Sequence, residues 1–140
     1  MTLNSVTANL IVADVTRTVD WYLEVLGFQF TVGVVEGTED SVFEATGQPL
    51  GFAMLKRDAV ELMFQSHASV AVELPDMKPA TGNGVALYID VDDVDELHAE
   101  LSEHVDIVVG LNNTFYGARE FHLRDCNGMI VGFAQRLQPE

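Results

Sequence analysis

Two stretches of the chain repeat one order of an alternating apolar pattern, an acidic residue and a helical apolar pattern. Residues 10–22, LIVADVTRTVDWY, align with residues 89–101, IDVDDVDELHAEL. Apolar residues at every second position predict a strand, and apolar residues three and four apart predict a helix with one buried face. An aspartate between the two patterns predicts a helix N-cap. Such an internal repeat indicates two copies of one structural unit.

The apolar stripe of each predicted helix has clear ends. In the first half Asp14 is placed to cap the helix, and Gly27 is expected to end it at the C′ position. In the second half either Asp92 or Asp93 is the N-cap, and the helix is expected to end near His104. The stripe residues are Val15, Val19, Tyr22, Leu23 and Leu26 in the first helix, and Val94, Leu97 and Leu101 in the second.

Strand-like runs follow each helix, so that each half is predicted to be a βαβββ module. The runs are residues 28–35, 52–55 and 60–64 in the first half, and 107–109, 120–124 and 129–134 in the second. KRDA at 56–59 and DCNG at 125–128 are expected to form hairpin turns. Residues 66–83 hold no steady period and are expected to be a connection. We therefore predict one α+β domain over 1–140, with module one at 4–65 and module two at 84–137. Helices are expected on one face, and a mixed sheet is expected to curl around a shared cleft.

Amino-acid composition limits the kinds of binding partner and the cellular compartment that we expect for this protein. The 140 residues carry 22 acids and 7 bases, a formal net charge of −15, which argues against nucleic-acid binding. The excess of acids could attract a cationic ligand or partner, although solubility or a saline habitat is the favoured explanation. Cys126 is the single cysteine, no run is long and apolar enough to span a bilayer, and the N-terminus lacks a basic leader. We expect a cytoplasmic protein with no disulfide and no membrane partner.

Two segments resemble the signatures of a known superfamily. The run LIVADVTRTVDWYLEVLGF is similar to the opening signature of the glyoxalase, bleomycin-resistance and extradiol-dioxygenase superfamily, also called the vicinal oxygen chelate superfamily. The run YGAREFHLRDCNGMIVGFAQ resembles the closing signature, most of all that of the bleomycin-resistance proteins, except that Cys126 stands where proline is usual. The resemblance implies that superfamily's fold. The bleomycin-resistance branch implies a metal-free homodimer that sequesters a cationic antibiotic in clefts between its subunits.

The resemblance also implies where metal-using members hold their ion. The four ligand positions fall on Thr7, Glu61, Ala86 and Gly132. Divalent metals need several imidazole, thiolate or carboxylate donors converging at about 2.0–2.2 Å, and only Glu61 supplies one. We therefore predict no metal ligands and no cofactor.

Strand parity gives the side chains that are expected to face the cleft. With Tyr116, which occupies the position of a drug-stacking aromatic in the bleomycin-resistance branch, the predicted ligand-binding residues are Asn9, Phe52, Met54, Glu61, Met63, Tyr88, Tyr116, His122 and Gly132. Such a mixture of apolar, aromatic and a few polar groups is typical of a small-molecule pocket. The loss of side chains at Ala86 and Gly132 is expected to leave room for a bulkier ligand.

Three of these residues have alternative interpretations. Tyr116 either stacks on a ligand or packs in its turn. His122 is either a hydrogen-bonded histidine near a dimer surface or part of a Glu61–His122 pair. Glu61 is either a ligand contact or, if desolvated, a general base. The leading hypothesis is a metal-free ligand-binding protein and not an enzyme. The alternatives are a metal-independent isomerase or lyase that uses Glu61, and a metalloenzyme with a rebuilt site of Glu61, His122 and Asp90.

Overall fold

The chain divides into two units, residues 1–81 and 82–140. The structure, a computed structural model, describes residues 1–78 and 84–138. Unit 1 consists, in chain order, of β1 (Ala8–Val12), α1 (Val15–Glu24), β2 (Gln29–Val35), β3 (Ser41–Val42), β4 (Leu50–Arg57), β5 (Val60–Ser66) and α2 (His67–Glu73). Unit 2 consists of β6 (Ala86–Asp90), α3 (Val94–Leu101), β7 (Asp106–Asn113), β8 (Ala118–Arg124) and β9 (Ile130–Arg136).

The two sheets share one topology, which agrees with the repeat in the sequence. The strand order is β1-β5-β4-β2-β3 in unit 1 and β6-β9-β8-β7 in unit 2. In each unit the first strand pairs in parallel with the last, and the remaining pairs are antiparallel. The predicted α+β class with two repeated modules is thereby confirmed. Among the described residues, no helix is long and apolar enough to cross a membrane.

Aspartate side chains begin both long helices. Asp14 accepts a hydrogen bond from the backbone N–H of Arg17 at 2.9 Å, and Asp93 accepts one from Glu96 at 3.0 Å. Asp93 rather than Asp92 is therefore the N-cap of α3. Gly27 has a φ of 69°, a left-handed conformation that glycine adopts without steric cost, as predicted at the end of α1. The predicted α1 stripe is buried apart from the half-buried Leu23.

Three elements differ from the prediction. Residues 67–73 were expected to be irregular connection but form α2, which Ser66 caps by accepting from the Ser69 N–H at 3.1 Å. Only Val70 of this helix is buried, so the helix displays no apolar stripe. β7 continues to Asn113, beyond the predicted end at 109. The sequence did not indicate this extension, because register shifts interrupt the alternation of side chains along the strand. The two-residue strand β3 is too short to give a pattern. Residues 79–83 of the predicted connection lie outside the described part of the chain.

Candidate functional site

One face of the unit 2 sheet is covered by α3. Phe121 and Leu123 of β8 are fully buried, and the ring of Phe121 meets the imidazole of His98 on α3 at 5.0 Å. Because side chains alternate along a strand, Glu120 and His122 point to the opposite face. Register aligns Tyr88 of β6 with Gly132 of β9, and Gly132 with His122. Sequence-distant polar groups are thus brought to one surface, which we call the Glu120 cluster (Tyr88, Tyr116, Glu120 and His122).

Glu120 is the centre of this cluster. Its side chain is only 5% exposed, yet both carboxylate oxygens are hydrogen-bonded. The Tyr88 hydroxyl donates to Oε2 at 2.6 Å, and the Tyr116 hydroxyl donates to Oε1 at 2.5 Å. A buried carboxylate is costly unless it is paired in this way. The two phenols therefore make an ionised Glu120 compatible with its burial.

The same contacts change the acidities of all three groups. The hydrogen bond to Glu120 is the largest cause that raises the pKa of Tyr88, and burial and the charge of Glu120 add to it. The pKa of Tyr116 is also raised, with the hydrogen bond to Glu120 again the largest cause, although hydrogen bonds with Thr114 and Tyr88 act in the opposite direction. Burial alone would raise the pKa of Glu120, but the hydrogen bonds from Tyr116 and Tyr88, together with the charge of His122, outweigh burial and lower it. The cluster thus favours one anion and two neutral phenols.

The aromatic rings around the carboxylate are open to solvent. Tyr88 is 55% exposed and Tyr116 is 56% exposed, although their hydroxyls turn inward to Glu120. Phe115, fully exposed, meets the Tyr116 ring edge-on at 5.1 Å. Aromatic faces attract cations and stack on planar groups. Both interpretations of Tyr116 stay predictions, since its ring is open to a ligand and also contacts Phe115 within its own turn.

His122 occupies space that the sequence had assigned to a ligand. A Cβ placed on Gly132 would lie 2.7 Å from both Cδ2 and Nε2 of the imidazole. The expectation that Gly132 leaves empty volume is therefore wrong, because the ring of His122 fills it. Nδ1 of His122 is buried and has no hydrogen-bond partner among the described residues. We expected a hydrogen-bonded histidine as one interpretation of His122, and Nδ1 does not show such a bond.

The corresponding face of unit 1 holds the other predicted site residues. Met54 and Met63 are cross-strand partners and half-buried, and Phe52, also half-buried, lies opposite Gln65. Gln65 is only 1% exposed, and its side-chain amide is fully hydrogen-bonded. Its Oε1 accepts from Asn9 at 2.8 Å, and its Nε2 donates to Ser69 and Glu73 of α2, each at 2.9 Å. The unexpected helix α2 therefore interacts with part of the face that was predicted to line the cleft.

Glu61 lies on this unit 1 face near the β4–β5 turn. It is exposed, and its carboxylate makes no hydrogen bond or ion pair with any described residue. The general-base hypothesis required a desolvated carboxylate, and this position does not provide one. The Glu61–His122 pair would join the two units and stays a prediction, as do the shared cleft and the homodimer.

The donor set does not fit a metal centre of the kind used elsewhere in the superfamily. Thr7 offers a neutral hydroxyl, and Ala86 and Gly132 offer no side-chain donor. No group of three His, Cys, Asp or Glu side chains that could hold an ion occurs in residues 1–78 and 84–138. The imidazole over Gly132 also takes up the space that a longer side chain there would need.

Strand alternation along β8 places Glu120 on the same face as His122, but Glu120 was not among the predicted site residues. The available signal was its position two residues before His122 and four after Tyr116. No local sequence pattern could predict that Tyr88 binds Glu120, because the two residues are 32 positions apart in the sequence.

Comparison with known proteins identifies the family. The sequence model of the Glyoxalase/Bleomycin resistance protein/Dioxygenase superfamily matches residues 2–133. The chain therefore belongs to this superfamily. No curated protein sequence matches it.

Solved structures with similar folds include two antibiotic-binding proteins. TnmS3, an antibiotic-binding protein from Streptomyces sp. CB03234, is 22% identical with a TM-score of 0.68, over 97% of this chain and 98% of that one. The bleomycin-binding protein of Streptomyces verticillus, solved with copper(II)-bleomycin, is 22% identical with a TM-score of 0.62, over 100% and 99%. A glyoxalase/bleomycin resistance protein/dioxygenase from Nocardioides is 15% identical with a TM-score of 0.70, over 100% and 88%. At these identities the likeness shows the fold alone.

Proposed function

We propose that this protein binds a cationic small molecule with an aromatic portion, without a metal ion, on the open face of the unit 2 sheet. The observation that carries the proposal is the Glu120 cluster, a buried carboxylate beneath two half-exposed tyrosine rings. A negative charge close to open aromatic faces attracts a planar cation through both charge and ring contacts. The net charge of −15 would also draw a cation toward the protein.

The superfamily supports a binding role but does not define it, since one fold hosts many functions. The Streptomyces verticillus protein binds bleomycin, and TnmS3 binds an antibiotic. By analogy with them, we propose that the ligand is an antibiotic or a similar cationic metabolite. The proposal includes a cytoplasmic homodimer with the ligand at the dimer interface. Sedimentation analysis with and without ligand tests the dimer.

Titration calorimetry tests the binding role directly. The probes are bleomycin and a panel of other cationic DNA-directed drugs, each at low and at high salt. We expect saturable heat with at least one probe, and a lower affinity at high salt because the attraction is partly electrostatic. Absence of heat with every probe would count against the proposal.

A matched pair of variants tests where the ligand binds. Glu120→Gln removes the buried charge, and Glu103→Gln removes an exposed charge of the same type elsewhere in unit 2. Loss of a charged partner costs about 1.5–3 kcal/mol, roughly a 10- to 100-fold loss of affinity. We expect this loss for Glu120→Gln and almost none for Glu103→Gln. Equal effects of the two variants would show that only the net charge matters.

A further inference from the structure

The hydroxyl groups of Tyr88 and Tyr116 are both committed as donors. Each hydroxyl has one hydrogen, and in each case it points to an oxygen of Glu120. A phenol whose hydrogen is used can only accept further hydrogen bonds. The elevated pKa of both groups means that neither turns into a phenolate at neutral pH. The two phenol oxygens thus act as acceptors without a spare donor.

Glu120 strengthens these acceptors without being reached itself. The carboxylate is 5% exposed, whereas both tyrosines are more than half exposed. A hydroxyl that donates to a carboxylate is polarised, and its oxygen becomes a better acceptor. The negative charge of Glu120 is therefore available to a ligand through two neighbouring phenol oxygens. The two phenol oxygens are close together, because both hydroxyls bind one carboxylate group and each affects the pKa of the other.

We propose that the Glu120 cluster recognises a cation that carries N–H donors, such as a protonated primary amine, an amidinium or a guanidinium, through the oxygens of Tyr88 and Tyr116. This inference rests on the proposed function, since it names the chemical group that the same site selects. A planar guanidinium presents parallel N–H groups that match two adjacent acceptors. A quaternary ammonium has the same charge but nothing to donate. Glu120 is then a positioning residue, and the tyrosines make the contact.

Two probes with the same charge separate the inference from general cation binding. One is a naphthylmethyl guanidinium and the other is a naphthylmethyl trimethylammonium, titrated against the full-length protein by calorimetry. We expect the guanidinium to bind at least tenfold more tightly to the wild type. Replacing both tyrosines by phenylalanine, Y88F/Y116F, keeps the rings and removes the acceptors. The preference should then fall to within about twofold, while the trimethylammonium affinity stays close to that of the wild type.

The outcomes distinguish the two levels of the proposal. Equal affinity of the wild type for both probes, with bleomycin or another drug still bound, overturns this inference and leaves the proposed function standing. No binding of any probe or drug overturns both. A retained guanidinium preference in Y88F/Y116F also overturns the inference, provided that circular dichroism shows the variant to be folded. If that variant does not fold, the single variants Y88F and Y116F are compared, and each must reduce the preference.

Discussion

The imidazole of His122 lies across Gly132, its register partner on the neighbouring strand β9. Two ring atoms of His122 are 2.7 Å from the point where a Cβ at position 132 would be. Because real Cβ atoms do not approach other atoms so closely, a side chain at 132 and the observed position of His122 exclude one another. The φ of Gly132 is not positive, so the restriction comes from the ring and not from the backbone.

Gly132→Ala should therefore destabilise the protein through His122. Overpacking costs about 1–3 kcal/mol in the free energy of unfolding, which urea denaturation measures. We expect the lower end of this range, because only the ring of one side chain has to move. Gly110→Ala on β7 is the matched control, since nothing lies within 4 Å of its Cβ position and its φ is not positive. We expect no loss of stability for Gly110→Ala.

A double-mutant cycle identifies the ring as the cause. In a His122→Ala background the ring is absent, and Gly132→Ala should then cost almost nothing. An equal cost of Gly132→Ala in both backgrounds would show that His122 is not responsible.

Glu120→Gln should lower the pKa of Tyr88 and Tyr116 toward the ordinary value of 10.0, since the hydrogen bond to the carboxylate is the main cause that raises both. Ultraviolet absorption of phenolate measures this as pH rises. The chain has three tyrosines, and Tyr22, fully buried in unit 1, is common to both proteins. We expect Tyr88 and Tyr116 of the variant to titrate with midpoints closer to pH 10, whereas in the wild type both titrate at higher pH. Identical titration curves would contradict the geometry of the cluster.

Asp93→Ala should destabilise unit 2, because Asp93 supplies the N-cap of α3. Loss of such a cap costs about 0.5–2 kcal/mol. Asp92→Ala is a close control, since it removes an exposed acid one position earlier. Urea denaturation should show the cost for Asp93→Ala only. A larger effect of Asp92→Ala would show that Asp92, and not Asp93, is the N-cap of α3.

The features predicted correctly from the sequence depend on local spacing. Asp14, Gly27 and the stripe from Val15 to Leu26 lie within one helix and its ends, so their roles are visible in a short window. The α+β class with two modules followed from the repetition of this window. α2 was missed because seven residues with only Val70 buried contain too little periodicity.

The centre of the candidate site was less accessible to sequence reasoning. Parity placed Glu120 and His122 on one face, but it did not show what surrounds them. The contact with Tyr88 depends on the register across β6, β9 and β8, which no local pattern specifies. The filling of the Gly132 space depends on a side-chain orientation of His122. A missing side chain in the sequence therefore did not mean an empty volume in the fold.

The burial of Glu120 and its two phenol partners make the stability of the protein depend on pH in the acid range. In the wild type the folded pKa of Glu120 lies below its ordinary value of 4.5. The ionised carboxylate thus contributes stability above about pH 4.5, and this contribution is lost as pH falls through the folded pKa. In Y88F/Y116F the carboxylate stays buried but loses both donors, so its folded pKa should rise above 4.5. The contribution of Glu120 to stability then changes sign. At neutral pH the buried, unpaired carboxylate destabilises the fold, and its protonation at lower pH removes this destabilisation.

Urea denaturation between pH 7 and pH 3.5 measures this reversal as a difference between two proteins. We expect the deficit of Y88F/Y116F relative to the wild type to be largest near pH 7. It should begin to shrink as pH falls through the raised pKa of Glu120 in the variant, and level off below the lowered pKa of Glu120 in the wild type. The same pair of substitutions made in a Glu120→Gln background is the control, since position 120 no longer titrates. The deficit in that background should not vary with pH. A pH-independent deficit in the native background as well would mean that the two phenols do not hold Glu120 in its ionised state.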